Sequence, residues 1–306
     1  MSTPSTSGKV ALRLRLPATS ANLGPGFDAV AVALDFYLEV DASPGQEFSI
    51  IATGRDADRC ARLEDNLILE AYKRLLMDHD RPVVPLSIRM SNGIPLGMGC
   101  GSSAAGRLAA IALAVHFGQL GWGTDRILEE AYALEGHPDN VAACVLGSIV
   151  ASAVEPGGIT RAVRLEMPPN FRIAVVVPNF ALPTKEARAV LPDVYSRADA
   201  TFNIQRAALL MAALATGDTS AFPCALDDRL HQTYRAQLIP GLSEILRLRA
   251  PGLLGCTLSG AGPGVLVFYE RGYESVYDLV RQTFAMNGCT TEVISSGVAP
   301  AGYEFL

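Results

Sequence analysis

Three short segments carry the residue types that small-molecule chemistry needs. The richest is Pro95-Leu96-Gly97-Met98-Gly99-Cys100-Gly101-Ser102-Ser103-Ala104-Ala105. Glycines at alternate positions let a backbone approach a ligand closely and turn its N–H groups inward. Ser102 and Ser103 stand where a helix begins, and a helix start offers unpaired N–H groups and a positive dipole end that suit a phosphate. The segment is neither the lysine-containing P-loop nor the dinucleotide-binding glycine fingerprint. A glycine turn capped by serine fits the same pattern. The second segment runs from Pro17 to Asp28 and offers Asn22 and Asp28 to a small polar substrate, or uses them to cap its own turn. The third, Glu135-Gly136-His137-Pro138-Asp139-Asn140, supplies two carboxylates, an imidazole and an amide. Glu and Asp suit a magnesium ligand and a substrate contact. A surface histidine and a helix N-cap are the ordinary alternatives.

The elements that must position these segments follow from hydrophobic spacing. Residues 9–16 alternate, with Val10, Leu12, Leu14 and Leu16 on one face, so they read as a half-buried strand that Pro17 ends. Residues 30–40 alternate in the same way, which places the second segment in a turn between two strands. Helical spacing runs over 65–77, with Asp65 as its N-cap. A short strand at 86–90 leads into the glycine loop 93–101, which opens a helix over 102–117. A helix over 125–134 delivers the third segment, and strands follow at 149–153 and 161–165. Pro168-Pro169 is the linker signal. Beyond it lie a strand at 171–177, helices at 200–216 and 241–250, and a glycine turn from 255 into a strand at 265–268. A helix at 273–287 and a strand at 291–295 complete the pattern. The chain reads as α+β in two domains, 9–167 and 168–306.

Composition narrows the function classes. Of 306 residues, 49% are apolar and 18% charged, which fits a globular core and excludes disorder. No run approaches the ~18 consecutive apolar residues of a membrane span, and residues 1–8 form a polar tail without a signal-peptide pattern. Six cysteines lie far apart with no CxxC pair, which argues against a zinc site or disulfide scaffold and for a reducing cytoplasm. The net charge is −6 with no Lys/Arg cluster, so neither nucleic acid nor an anionic membrane is an expected partner. An anionic ligand must then be held by local devices.

Taken in order, the three segments resemble motifs of the GHMP kinases, and most specifically of the homoserine kinases. Ser259-Gly260-Ala261-Gly262-Pro263-Gly264, the stretch Thr184 to Arg188 and the stretch His231 to Pro240 extend the resemblance, which runs from residue 10 to the end of the chain. Cys100, Ala31 and Gly264 stand where that family usually has Leu, Gly, and Thr or Ser. The resemblance implies an N-terminal domain like the second domain of ribosomal protein S5, with a left-handed βαβ crossover, and a ferredoxin-like C-terminal domain. It implies ATP over the loop from Pro95 to Ala104, with Gly260 and Gly262 closing on it, and Mg2+ held by Glu135 with Ser102 or Ser103. The implied reaction is transfer of the γ-phosphoryl to the hydroxyl of L-homoserine, in threonine biosynthesis. Arg188 and Arg235 are the expected carboxylate partners, since a guanidinium fork matches two carboxylate oxygens. Asp28 and Asp139 are expected to take the ammonium, while Asn22, His137 and Asn140 shape the pocket. Asp139, Glu135 and Asn22 are the expected catalytic set. A homodimer is implied by family. The competing readings are a mevalonate- or sugar-type relative, disfavoured by the first and third segments, and a non-catalytic ATP- and metabolite-binding relative, disfavoured by the intact loop and Glu135.

Overall fold

The computed structural model describes residues 11–306; the polar tail and residues 9 and 10 of the expected first strand lie outside the described residues. The large sheet contains β1 (Leu12–Ala21), β2 (Val30–Pro44), β3 (Ser49–Gly54), β4 (Leu86–Asn92), β5 (Ile149–Val154) and β6 (Thr160–Leu165). The second contains β7 (Phe171–Pro178), β8 (Leu253–Leu258), β9 (Val265–Glu270) and β10 (Thr291–Ser296). A final short strand, β11 (Glu304–Phe305), leaves the second half of the chain and pairs antiparallel with β1, with Leu14 opposite Phe305. The range 168–306 therefore includes a tail that belongs to the other sheet.

The large sheet has the order β11-β1-β2-β4-β3, with β5 on β2 and β6 on β5. β3 and β4 are parallel and are joined through the helices Ala57–Cys60 and Leu67–Asp78; the other strand pairs are antiparallel. Against this sheet lies the helix Ser102–Gly118, which is rich in Ala and buried on nearly every side. A helix apolar all round belongs at the centre of a core, and its start is thereby fixed at depth. The second sheet has the order β10-β7-β9-β8, all antiparallel. With helices between β7 and β8 and between β9 and β10, this is the βαββαβ ferredoxin-like arrangement. Alternation along β7 shows how the halves join. Phe171, Ile173, Val175 and Val177 enter the large core, while Ala174 and Val176 enter a second core with Leu242, Ile245 and Phe284.

Several boundaries differ from the sequence pattern. Pro17 does not end β1; a bulge between Pro17 and Ala18 absorbs the missing donor and the strand continues to Ala21. The first segment's Thr19 and Ser20 are therefore strand residues, held rigidly. Asn66, not Asp65, caps the helix at 67, accepting from the N–H groups of Ile68 and Leu69. The helix expected over 241–250 is confined to Leu242–Ile245. The expected glycine turn at 255 is instead part of β8, fully buried, with Gly255 absorbed in a register shift against β9.

Candidate active site

The three segments converge on one cavity of about 200 Å3 between the two sheets' loops. Its floor is the glycine loop. Gly97, Gly99 and Gly101 have φ of 71°, 77° and 70°, a left-handed backbone that favours glycine. A Cβ on Gly99 would lie 2.1 Å from the Ser259 carbonyl oxygen, and one on Gly101 would lie 1.9 Å from Thr19 Oγ1. The loop is clamped from both sides. The Thr19 N–H donates to the Cys100 carbonyl at 3.1 Å, and Ser259 Oγ donates to the Gly99 carbonyl at 2.7 Å. The loop then passes into the buried helix at Ser102, whose first turn leaves unpaired N–H groups.

Glu135 ends the helix Thr124–Glu135, where Gly136 turns left-handed. Ser103 Oγ donates to Glu135 Oε2 at 3.1 Å. His137 follows, with Nδ1 2.9 Å from Asp139 Oδ1 and Nε2 3.7 Å from Glu135 Oε1. Asp139 opens the helix Asp139–Leu146 and is buried; its Oδ1 accepts the Asn140 N–H at 2.7 Å. Among the described residues, its Oδ2 has no hydrogen-bond partner. Thr19 Oγ1 donates to Asn140 Oδ1 at 2.7 Å, tying the first segment to the third.

Asn22 sits at φ 73°. Its Nδ2 donates to the Gly260 carbonyl at 2.8 Å, and its Oδ1 accepts the Asp28 N–H at 3.0 Å. It is therefore a staple between the halves that positions Asp28. The Asp28 carboxylate accepts both Nη groups of Arg188, at 3.1 and 2.7 Å. Burial works against the Arg188 charge, but the bonds to Asp28 outweigh it and hold the guanidinium pKa above its ordinary value. Arg235 is 1% exposed. Its Nε donates to the Ala187 carbonyl at 3.0 Å, and its Nη1 to the Gly260 carbonyl and to His231 Nδ1, at 3.2 and 3.1 Å. Its Nη2 has no partner among the described residues, and the residue lines the cavity. Burial, with Arg188 nearby, pulls Arg235 down to about 10, which leaves it charged at neutral pH. Two oxygen sets can therefore meet a cation: Ser103 with Glu135, and Asp28 with Asp139, whose ligand atoms and that of His137 lie within 4.8 Å of one another.

Most of the expected site residues line this cavity, including Asn22, Asp28, Ser102, Ser103, Arg188 and Arg235. Four of the loop residues do not. Ala104 is buried in the core, and Pro95, Leu96 and Met98 border a separate cleft toward Arg55 and Glu292. Cys100 lines the cavity from a buried position, and burial pushes its thiol up to about 12, which makes it inert. A second cavity of about 450 Å3 shares Gly97, Ser102 and Ser103 with the first and is walled by Leu67, Ile68, Met90 and Ile94. Sequence reasoning missed Thr19, Thr184, His231 and Arg107. Thr19, Thr184 and His231 stood inside stretches already singled out, without a role of their own, and Arg107 stood four residues after Ser103 and so on the same helix face.

Residues 66–148 match the family model for the GHMP kinases N terminal domain. The chain is 56% identical over 291 residues to a homoserine kinase of Solibacter usitatus, covering 95% of this chain and 96% of that protein. It is 40% identical over 287 residues to a homoserine kinase of Moorella thermoacetica, covering 92% and 96% of the two chains. The crystal structure of a homoserine kinase from Cytophaga hutchinsonii superposes over 100% of both chains with a TM-score of 0.81 and 25% identity. A chain with this two-domain α+β fold and this likeness over nearly its full length belongs to the homoserine kinases of the GHMP kinase superfamily.

Proposed function

We propose that this chain transfers the γ-phosphoryl of ATP to the side-chain hydroxyl of L-homoserine, giving O-phospho-L-homoserine and ADP. The observation that carries this reading is the charge layout of one small cavity. A guanidinium fork on a carboxylate, Arg188 on Asp28, stands beside the free Nη2 of Arg235, and all three lie opposite a glycine loop at a helix start. An amino acid brings one carboxylate and one ammonium, and such a cavity has a partner for each. The larger cavity behind Ser102 and Ser103 is lined by Leu67, Ile68, Met90 and Ile94 together with polar residues such as Asn66 and Asn92. It suits a purine base, which has an apolar face and a polar edge, with the shared loop between the base and the acceptor.

Phosphoryl transfer is mostly positioning and charge neutralisation. The loop from Gly97 to Ser103 would hold the phosphates through backbone N–H groups. Ser103 Oγ and the Glu135 carboxylate are hard oxygens already 3.1 Å apart, a donor set that fits Mg2+. When bound, that ion neutralises charge on the β- and γ-phosphates. Arg188 and Arg235 grip the substrate carboxylate and Asp28 takes its ammonium. Asp139 orients the hydroxyl through Oδ2. The hydroxyl oxygen forms its bond to the γ-phosphorus as the bond to the β,γ-bridging oxygen breaks; ADP leaves with that electron pair, and the hydroxyl proton passes to Asp139. Asn22, His137 and Asn140 hold Asp28 and Asp139 in place rather than touch the reacting atoms. A homodimer in a reducing cytoplasm belongs to the same reading. All six cysteines are free thiols, and no helix among the described residues is long and apolar enough to cross a membrane.

The test is a coupled assay for ADP with L-homoserine, mevalonate and galactose as acceptors. The highest kcat/KM is expected for L-homoserine; a higher value for either of the others rejects the assignment.

A further inference from the structure

Ser103 and Glu135 do not face the cavity alone. Arg107 stands one helical turn after Ser103 on the helix Ser102–Gly118. Its Nη1 donates to Ser103 Oγ at 2.5 Å and pairs with Glu135 Oε2, the same oxygen that accepts the Ser103 hydroxyl. Arg107 lines neither of the two cavities that share Ser103. It therefore reaches the two oxygens from behind. The Glu135 side chain is 8% exposed, so its charge has little water to stabilise it. Among the described residues, its other oxygen, Oε1, is approached only by His137 Nε2, at 3.7 Å.

We infer that Arg107 is a positioning residue that neutralises Glu135 in the nucleotide-free enzyme and keeps the Ser103–Glu135 pair from taking a divalent cation before ATP arrives. This rests on the reading that those two oxygens hold the metal of the nucleotide complex. A hard divalent cation needs net negative charge among its ligands. A carboxylate shared with a guanidinium offers no net charge, and the guanidinium repels a second cation brought to the same oxygen. The phosphates of ATP supply the missing negative charge. The enzyme then accepts the metal with the nucleotide and is not loaded with metal in advance. The same contacts fix the Ser103 hydroxyl and the Glu135 carboxylate in one geometry, ready for that arrival.

Mn2+ serves as the probe, titrated into nucleotide-free enzyme with free Mn2+ counted by electron paramagnetic resonance. Wild type is expected to bind Mn2+ weakly. Arg107→Met is expected to bind it at least about tenfold more tightly, because a like charge beside the ligand oxygen is gone. Arg107→Lys, which restores the charge, is expected to stay near wild type. Arg107→Gln is the second neutral variant, used where circular dichroism shows that the methionine variant fails to fold. Adding Glu135→Gln to either neutral variant is expected to abolish the gain. Equal Mn2+ affinity in wild type and the neutral variants overturns the inference, and so does a gain that survives Glu135→Gln. The titration involves no acceptor alcohol, so a failure of the homoserine assignment leaves its result standing. If Glu135→Gln leaves Mn2+ affinity unchanged in the presence of ATP, the metal site lies elsewhere and the inference falls with it.

Discussion

Asp28 and Arg188 satisfy each other through two hydrogen bonds of 3.1 and 2.7 Å, and an amino-acid substrate can replace both partners at once. In the proposed binding mode its ammonium would go to Asp28 and its carboxylate to Arg188, which would leave neither side chain as a bare charge. The pair is about one-third exposed, at 37% and 33%, so water shares its stabilisation and separating it is cheap. Arg188→Leu is therefore expected to raise the KM for homoserine by at least about tenfold, from losing a charge-assisted bond worth ~1.5–3 kcal/mol. Its melting temperature should barely change. Arg235→Leu should raise the same KM and also lower the melting temperature, because it strips three hydrogen bonds from a buried position. Lysine at either position should recover only part of the loss, since a point charge lacks the fork. Steady-state kinetics and thermal melts decide; normal homoserine KM in both leucine variants places the carboxylate elsewhere. Glu135→Ala should lower kcat by roughly a hundredfold if it is the metal's protein ligand, with the fold retained by circular dichroism; near-normal turnover at saturating Mg2+ rejects that role. At this scale the residue types were legible because the chemistry demands them in contiguous segments. Their bonds were not, since Asp28 meets Arg188 across 160 positions and Thr19 meets Asn140 across 121. Arg107 gains meaning only once Ser103 and Glu135 are known to touch.

The glycine loop is where an element's shape, rather than any side chain, makes the site. Gly101→Val forces a Cβ onto Thr19 Oγ1 and a β-branched residue into φ 70°. The sequence marked Gly101 as one of the glycines that let the backbone approach a ligand; the fold shows that a side chain there first strikes β1. We expect ATP affinity to fall far more than homoserine affinity in calorimetric titrations, with a lower melting temperature. Unchanged ATP affinity would count against the loop as the phosphate site. Elements, though not their exact ends, were legible wherever one face meets water, as in β4 and the helix Leu67–Asp78, because alternation or helical spacing then marks the dry side. They failed where both faces are dry. β8 reads Leu-Leu-Gly-Cys-Thr-Leu, buried throughout, so it has no alternation, and its glycine resembled a turn. Pro17 misled for another reason: a bulge lets β1 carry a residue that cannot donate.

Across the whole molecule, His231 joins the halves. It is fully buried, donates from Nε2 to the Gly24 carbonyl at 2.7 Å and accepts from Arg235 at Nδ1. Burial holds its pKa below the ordinary 6.5, against the pull of the Asp228 carboxylate 3.7 Å away. The unfolded chain binds a proton there below about pH 6.5 while the folded one resists it, so stability is full above that pH and is lost as the pH falls below it. The melting temperature should drop from pH 7 to pH 5, and His231→Gln should make the drop shallower; parallel curves for the two proteins would remove His231 as a cause. The two-sheet plan was legible from the Pro168-Pro169 break, but the return of β11 to β1 was not, since two residues carry too little pattern to reveal a partner.

That return has a consequence for synthesis. Glu304 pairs with Arg15 across 289 positions of the chain. At a ribosomal rate of ~5–20 residues per second, the outer edge of β1 waits roughly 15 to 60 s for its partner. A strand edge left open that long is a template for another chain. While the first half emerges, the nascent protein is exposed to pairing with its neighbours on the same messenger until residues 304 and 305 arrive to cover that edge.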